Sequence, residues 1–563
     1  MKYCLIVLLA IFISTNAYSQ GLEELQFSGN AQLDAQMVNE DTEIGAEQPP
    51  EHVLSNNFFL LNFSYKNFSS MIRYEAYLNP MLGYDPGYGN NQGIAFRNLR
   101  YRDDDLDITA GNFYEQFGSG MIFRSYDDRA LGFDNSMDGL RIKYTPTEGL
   151  YLTGMIGKQR QYWALAEGIV RGGNVDMSLN DLFAFEGTQF NLGASVVSKY
   201  QQDKDSRLKL PENVLSYALR GDVVGDEFSI DGEYVYKYND PSMANNFVYN
   251  PGQAFLANLS YYPEGIGASL SFHTVDNMPF YSDRGVAGQV AIMNYIPPLT
   301  KQHSYRLATV YPFATQMKGE IGFRSDINYT IERGTALGGD YGTNILVNYA
   351  QLNSLNKTSK IESEDGDIYE YETNIFEFGD HTYFRDFNLA ITRKLNKKFK
   401  VIFTYLNQEY DRDVIEKDFD VNFSPDSARH FGLVSSNIFV LDVQYKINRK
   451  NAVRCEFQYM KSEQDHELDP KTDDPTNGDW FAFLTEYTYS PHWFVTFIAE
   501  QNLTNANEDL QLLYISGSVT YVTGPTRFTL GYGRQREGIL CVGGVCRPVP
   551  ASNGFTLNIT TSF

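Results

Sequence analysis

The residues best placed to do chemistry are charged side chains gathered within one apolar segment. Between Gly118 and Asp138, arginines and aspartates are interspersed with Met, Ile, Leu and Phe. The charged members are Arg124, Asp127, Asp128, Arg129, Asp134 and Asp138. Exposed loops rarely carry so many large apolar residues together, so we expect this segment to pack against an inner wall.

A second group of arginines flanks that segment. Arg97, Arg100 and Arg102 precede it and Arg141 follows it. Strand alternation puts Arg100 and Arg102 on one face, and Arg97 needs a bulge to join them. Arginines facing carboxylates across a lumen would form a solute-orienting constriction. The alternative is a buried ion-pair network that only fastens the segment to the wall.

The cysteines predict one cross-link. Cys541 and Cys546 enclose Val-Gly-Gly-Val, whose glycines permit the tight reversal that a short bridge needs. A disulfide is plausible in an exported protein, and two free loop thiols are the alternative. Zinc is not expected, because no histidine or further cysteine lies nearby.

One loop has the composition of a weak calcium site, and no motif indicates catalysis. Its oxygen ligands precede and follow a glycine, but their spacing departs from the EF-hand pattern, and a solvated acidic loop explains them equally well. The ligands would be Asp469, Asp473, Asp474, Asn477 and Asp479. The seven histidines are scattered, and no nucleophile elbow is present. We therefore predict no enzyme activity, no cofactor and no metal beyond this candidate.

Composition narrows the class of protein. The 563 residues include 46 Lys and Arg against 70 Asp and Glu, a net charge of −24, which excludes nucleic acid as a partner. A mean hydropathy of −0.36 argues against a helical membrane protein. Met1-Lys2, an apolar run and Ala17-Tyr18-Ser19 form a signal-peptide pattern. We expect residues 1–19 to be removed and residues 20–563 to form one domain.

The elements that must position these side chains are β-strands with one apolar face. In the last ten residues, Phe555, Leu557, Ile559 and Phe563 alternate with small polar residues. A single strand of a soluble β-sandwich shows the same alternation of apolar and polar residues. Short turns here alternate with long polar loops, however, as in outer-membrane barrels. The sequence predicts an all-β, antiparallel transmembrane barrel of about 24 strands, range 20–26. The stretch 353–383 fits less cleanly and could hide an extra hairpin.

So wide a barrel needs its lumen filled or it conducts. Few residues precede the first candidate strand, too few for the globular plug of a TonB-dependent transporter, so we expect inward-folded loops to fill the lumen. Two functions then follow. One is porin-like passage of small polar solutes, and the other is a non-conducting structural or accessory subunit of an outer-membrane assembly or secretion complex.

The segment 111–139, Gly-Asn-Phe-Tyr-Glu-Gln-Phe-Gly-Ser-Gly onward, resembles an uncharacterised outer-membrane barrel family of the Bacteroidota. The resemblance implies the outer membrane of a Gram-negative bacterium and supplies no substrate. Phe563 resembles the terminal aromatic residue by which the barrel assembly machinery recognises its clients. The implied partners are that machinery, outer-membrane lipids, lipopolysaccharide and further subunits of outer-membrane complexes.

Overall fold

The computed structural model describes residues 24–205, 207–362, 368–416, 432–464 and 476–563. The expected signal peptide at residues 1–19 lies outside these residues. Among the residues described, no helix combines the length and apolar character needed to cross a bilayer.

Twenty-four strands form one sheet. In chain order they are β1 (Leu25–Asn39), β2 (Leu54–Tyr65), β3 (Phe68–Leu78), β4 (Asn91–Arg102), β5 (Leu106–Phe113), β6 (Met137–Thr147), β7 (Leu150–Gln161), β8 (Ala164–Ser178), β9 (Gln189–Tyr200), β10 (Asn213–Val224), β11 (Phe228–Lys237), β12 (Gly252–Tyr261), β13 (Ile266–Asp276), β14 (Gly319–Ile331), β15 (Thr343–Glu362), β16 (Ile368–Lys394), β17 (Phe399–Asp411), β18 (Leu433–Lys446), β19 (Asn451–Gln464), β20 (Trp480–Tyr489), β21 (Trp493–Asn502), β22 (Leu513–Thr523), β23 (Thr526–Gln535) and β24 (Ser552–Ser562).

The sheet closes on itself. Each strand pairs antiparallel with the next, and β24 returns to β1 with Asn30 opposite Ser562 and Asn39 opposite Asn553. Closure leaves no unpaired sheet edge. The predicted all-β barrel and its strand number are confirmed. Within this stretch, the described residues 353–362 and 368–383 form no extra hairpin, because they belong to the irregularly paired loop-end parts of β15 and β16.

Connections differ between the two ends of the barrel. The end that carries short reversals such as Lys66–Asn67 is called the turn end, and the opposite one the loop end. Two turn-end connections are longer, at 179–188 and 332–342, and one loop-end connection is only Tyr162–Trp163. Apart from the five residues between β15 and β16, which lie outside the described ranges, the remaining loop-end connections span ten residues or more, which matches the asymmetry expected from the sequence.

Alternation separates two faces of the wall. Along β18, Phe439, Leu441 and Tyr445 are exposed on the outside, whereas Val440 and Asp442 are buried toward the lumen. Closure places the same contrast around the circumference, so the outside carries an apolar belt and the inside carries most of the charge.

Several described connections pack inside the barrel, among them the β1–β2 connection through Ile44 and Ala46. Three of them form the candidate functional site. They are the first lumen segment (114–136), the second lumen segment (277–318) and the lumen hairpin, whose strands Gly538–Val542 and Val545–Val549 pair. The first segment contains the ribbons Gln116–Phe117 with Phe123–Arg124 and Asp127–Asp128 with Phe133–Asp134. The helices are short: α-helices Leu179–Phe183 and Arg412–Ile415, and 3-10 helices Pro86–Tyr88, Met243–Asn245, Leu307–Thr309, Gly339–Tyr341 and Glu508–Leu510.

Candidate functional site

The first lumen segment packs its apolar side chains inward. Met121, Ile122 and Phe123 are fully buried in a cluster with wall residues such as Val170. The cluster also includes four residues of the second lumen segment: Met278, Phe280, Met293 and Ile296. The two segments are hydrogen-bonded as well, because the Arg124 N–H donates to the Met293 carbonyl oxygen at 2.8 Å. They therefore form one packed body inside the barrel.

Glycines allow the first lumen segment to follow this path. Gly118 and Gly132 have φ values of 55° and 67°. A Cβ at Gly132 would lie 2.8 Å from the Tyr84 ring, and one at Gly118 would lie 2.6 Å from the Glu233 carboxylate. That carboxylate instead accepts the Ser119 backbone N–H at 2.8 Å. A side chain at either glycine would lift the segment off the wall.

Carboxylates of the first lumen segment are held by wall arginines. Asp134 lies between Arg73 and Arg160, with its Oδ2 2.6 Å from Arg160 Nη1. Asp127 lies 3.0 Å from Arg73 Nη1. Glu75 bonds both arginines, at 2.7 Å each. This buried group is the network that fastens the segment to the wall, the alternative left open by the sequence.

Burial affects the two aspartates differently. Burial raises the pKa of Asp127 to about 6, and Arg73 offsets this only in part. Burial also opposes ionisation of Asp134, but Arg73 and Arg160 together hold its pKa below the usual value. Asp134 is therefore the firmly charged member of the group.

The other charged residues of the segment serve its own packing. The Arg124 guanidinium lies over the rings of Tyr126 and Tyr295, 4.3 and 4.1 Å from their centroids. Asp128 accepts the backbone N–H groups of residues 130 and 131. Arg129 lies over the Phe58 ring, at 4.4 Å from its centroid. None of these three groups is aimed at an open pore.

Two of the flanking arginines form a second inward-facing group. Arg100 bonds Asp107 through Nε at 2.9 Å, and Arg141 lies 3.5 Å from the same carboxylate. Arg141 also lies 3.4 Å from Glu115 of the first lumen segment. Arg102 is exposed at the turn end of β4.

The placement of Arg97 and Asp138 in the lumen was wrong. The bulge in β4 falls between Ile94 and Phe96, before Arg97, so it does not bring Arg97 to the face of Arg100 and Arg102. Phe96 is buried on the inward face of β4, so strand alternation places its neighbour Arg97 on the outward face. Asp138 follows the buried, inward Met137 and also points outward, 3.4 Å from Arg97.

Sequence reasoning missed the wall contacts of the second lumen segment. Lys199 and Lys237 project inward from β9 and β11 and are fully buried beneath it. Lys199 Nζ bonds Asp240 at 2.6 Å, and Lys237 donates to the Pro279 carbonyl oxygen. Strand alternation alone would have predicted that both lysines point inward. It would have predicted the same for Arg73, Glu75 and Arg160.

The far part of the second lumen segment meets the lumen hairpin. Tyr295 donates its hydroxyl to the Gly543 carbonyl oxygen at 2.8 Å. A disulfide joins Cys541 and Cys546, the pairing expected from the sequence. Cys546 belongs to a second apolar cluster, which also contains Leu307 and Tyr311 of the segment. The hairpin and the segment thus close this part of the lumen together.

A cavity of about 330 Å³ remains between the second lumen segment and the lumen hairpin. Its charged lining residues are Lys301, His303, Arg306, Arg536 and Glu537. Partners on the wall hold two of them: His303 bonds Asp386 at 2.7 Å, and Arg306 bonds Glu500 through both carboxylate oxygens. Burial lowers the pKa of Lys301. The cavity therefore has a mixed lining, in which these charged groups lie beside apolar residues such as Phe313, Phe384 and Leu540.

A second cavity, of about 540 Å³, lies along β1 to β4. Side chains from four strands line it, mostly small and polar: Gln26, Ser28, Asn62, Ser64, Ser69, Asn98 and Arg100 are among them. Its wall can hydrogen-bond water and small solutes in many orientations.

The calcium candidate is described only in part. Asp469, Asp473 and Asp474 lie outside the described residues. Asp479 accepts the Tyr459 hydroxyl at 2.9 Å, and the Asn477 carbonyl oxygen accepts the Asn502 amide at 2.6 Å. Within the described ranges no group of three His, Cys, Asp or Glu side chains is arranged to hold a metal.

Phe563 completes the seam between the chain ends. Its backbone N–H and carbonyl oxygen both bond Gly29 of β1, at 3.0 and 2.9 Å. Its ring lies 5.9 Å from the Phe27 ring and 6.1 Å from the Phe59 ring. The terminal aromatic residue is part of the wall at the turn end.

Known structures share the barrel architecture at low identity. The siderophore receptor PirA from Pseudomonas aeruginosa matches with 8% identity and a TM-score of 0.42, over 96% of this chain and 80% of that one. The FrpB iron transporter from Neisseria meningitidis matches with 8% identity and a TM-score of 0.36, over 96% and 83%. OccK3 (OpdO) from Pseudomonas aeruginosa matches with 11% identity and a TM-score of 0.36, over 80% and 100%. These likenesses concern the fold and transfer no activity.

No curated protein matches the chain. A family model described as "Family of unknown function (DUF6029)" matches residues 1–563, the whole sequence. The chain belongs to this family.

Proposed function

We propose that this protein is a barrel of the Gram-negative outer membrane through which small polar solutes pass by a restricted route. The observation that carries the proposal is the cavity between the second lumen segment and the lumen hairpin, whose mixed lining includes five charged or titratable residues. A lumen closed only by apolar packing would have no charged residues lining such a cavity. The proposal includes no catalytic step and no cofactor.

The membrane orientation follows from the connections. Short turns of such barrels face the periplasm and long loops face outward, so the turn end would be periplasmic. The polar cavity along β1 to β4 would then serve as a periplasmic vestibule. Outer-membrane lipids and the barrel assembly machinery are the partners this placement implies, and the resemblance of segment 111–139 favours a Bacteroidota source.

Liposome swelling and planar-bilayer recordings of the purified, refolded barrel test the proposal. We expect a small ohmic conductance, and swelling with solutes of amino-acid size but not with disaccharides, because the cavity between the second lumen segment and the lumen hairpin holds only about 330 Å³. A large conductance that admits disaccharides would contradict the restriction. Absence of both conductance and swelling would contradict passage itself.

A second function, a non-conducting structural barrel, is favoured by a different observation. The lumen contains two extensive apolar clusters, each joining wall residues to the second lumen segment. Apolar packing of that kind closes the lumen to water and polar solutes. Zero conductance together with stoichiometric co-purification of other outer-membrane proteins would support this second function.

A further inference from the structure

A polar row lies on the outward face of β4 to β7. Its members are Arg97, Asn112, Asp138 and Lys158. The register places Asp138 opposite both Asn112 and Lys158. Asn112 accepts the Arg97 backbone N–H at 2.9 Å. With strands about 4.8 Å apart, Arg97 and Lys158 are separated by about 14 Å.

The neighbours of these residues fix their outward direction. Gln159, next to Lys158, points inward and donates to the Ile292 carbonyl oxygen of the second lumen segment. On β8, Val170 is buried inward, so Arg171 next to it points outward and is exposed. Arg171 lies opposite the outward Ile156 in the register. Arg171 therefore adds a third cation, immediately on the turn-end side of the row.

The row and Arg171 carry three cations and one carboxylate. Asp138 contacts Arg97 at 3.4 Å, and the Arg97 side chain is 62% exposed. In the part of the chain that the structure describes, no carboxylate oxygen lies within 4.0 Å of Lys158 or Arg171. Glu167 on β8 lies near Lys158 but pairs with Lys204 at 2.6 Å, so counting this pair leaves the excess of two positive charges unchanged. Two outward cations of another sector are each paired, Arg385 with Glu409 and Lys461 with Glu463.

Apolar side chains begin directly on the turn-end side of the row. Leu99, Leu140, Ile142 and Ile156 are exposed on the same outward face. The sector therefore has cations at the loop-end edge of the apolar belt and apolar side chains immediately on their turn-end side. That two-part chemistry matches a lipid with an anionic head and several acyl chains.

We propose that this sector binds a phosphorylated glycolipid of the outer leaflet. Arg97, Lys158 and Arg171 contact its phosphate groups, and its acyl chains lie on the apolar residues below. The inference rests on the outer-membrane placement proposed above and is independent of solute passage.

Native mass spectrometry of the detergent-solubilised barrel tests it with bis-phosphorylated lipid A and its dephosphorylated form as probes. The double variant Lys158→Gln with Arg171→Gln should bind lipid A about 25-fold more weakly, at about fivefold for each cation removed. The matched control, Arg385→Gln with Lys461→Gln, removes two outward cations from another sector and should leave binding unchanged.

Equal binding of both probes by the wild-type barrel would overturn the proposal, even if the double variant failed to fold. So would equal binding by the double variant and the control. If neither probe binds and a protein co-purifies only with the wild type, the sector is a protein interface instead. No transport is measured, so a failure here leaves the proposed passage standing, and absent conductance leaves lipid binding standing.

Discussion

At the scale of single residues, identical charges have different roles depending on the element that carries them. Asp134 is buried between two wall arginines and holds the first lumen segment in place. Asp138, four positions later, lies on the outward face of β6 beside an exposed arginine. The chain changes from the inward-folded segment to a wall strand between them, and that change separates the two roles.

This difference predicts unequal costs for the same substitution. Asp134→Asn removes one of the two carboxylates that Arg73 and Arg160 share and leaves Glu75 as the other; breaking a buried ion pair costs about 3–5 kcal/mol. Asp138→Asn breaks a half-exposed pair, which is worth about 0–1 kcal/mol. Urea unfolding of both variants in lipid vesicles measures the free energies. Equal losses would show that the Asp134 network contributes no more than a surface pair.

At the scale of elements, the second lumen segment is the main closing element. It contributes to both apolar clusters, whereas the first lumen segment contributes to one. It also bonds the lumen hairpin, the first segment and several strands. The first segment depends on it for part of its burial.

Shortening these elements should open the lumen to different extents. Replacing residues 280–314 by a short Gly-Ser linker should raise single-channel conductance severalfold, and deleting 121–133 should raise it less. The control is Phe376→Ser, because the Phe376 ring packs on Phe255 and Phe272 outside the barrel. Its conductance should equal that of the wild type. A larger increase from the 121–133 deletion would reverse the ranking.

The sequence predicts the strands well and the lumen only in part. Period-two alternation and turn length are local, so the barrel and about 24 strands could be derived directly. The first lumen segment was recognisable because apolar and charged residues crowd together at 118–138. The second was not, because Met278, Phe280 and Met293 follow no period and their partners lie on distant strands. Arg97 was misplaced because the position of a bulge cannot be read from the sequence.

At the scale of the whole molecule, the apolar belt determines where charge is tolerated. Val443 points outward on β18, and the next residue, Gln444, points inward toward Asp442. Val443→Arg should hinder insertion, since an arginine at the bilayer midplane costs about 2–4 kcal/mol. Gln444→Arg would face carboxylates and should insert normally. The heat-modifiable fraction in isolated membranes reports both, and equal insertion would refute the assigned faces.

The pairing of β24 with β1 constrains the order of events during biogenesis. The seam joins Asn30 to Ser562, so the cylinder is an open sheet until the final residues have emerged. Tyr295 and Gly543, which meet inside, are 248 positions apart. Contacts of such range form slowly. The interior must therefore be assembled late, either while the sheet is still open or by entry of the loops after it closes, and a chain truncated before β24 could not close its wall.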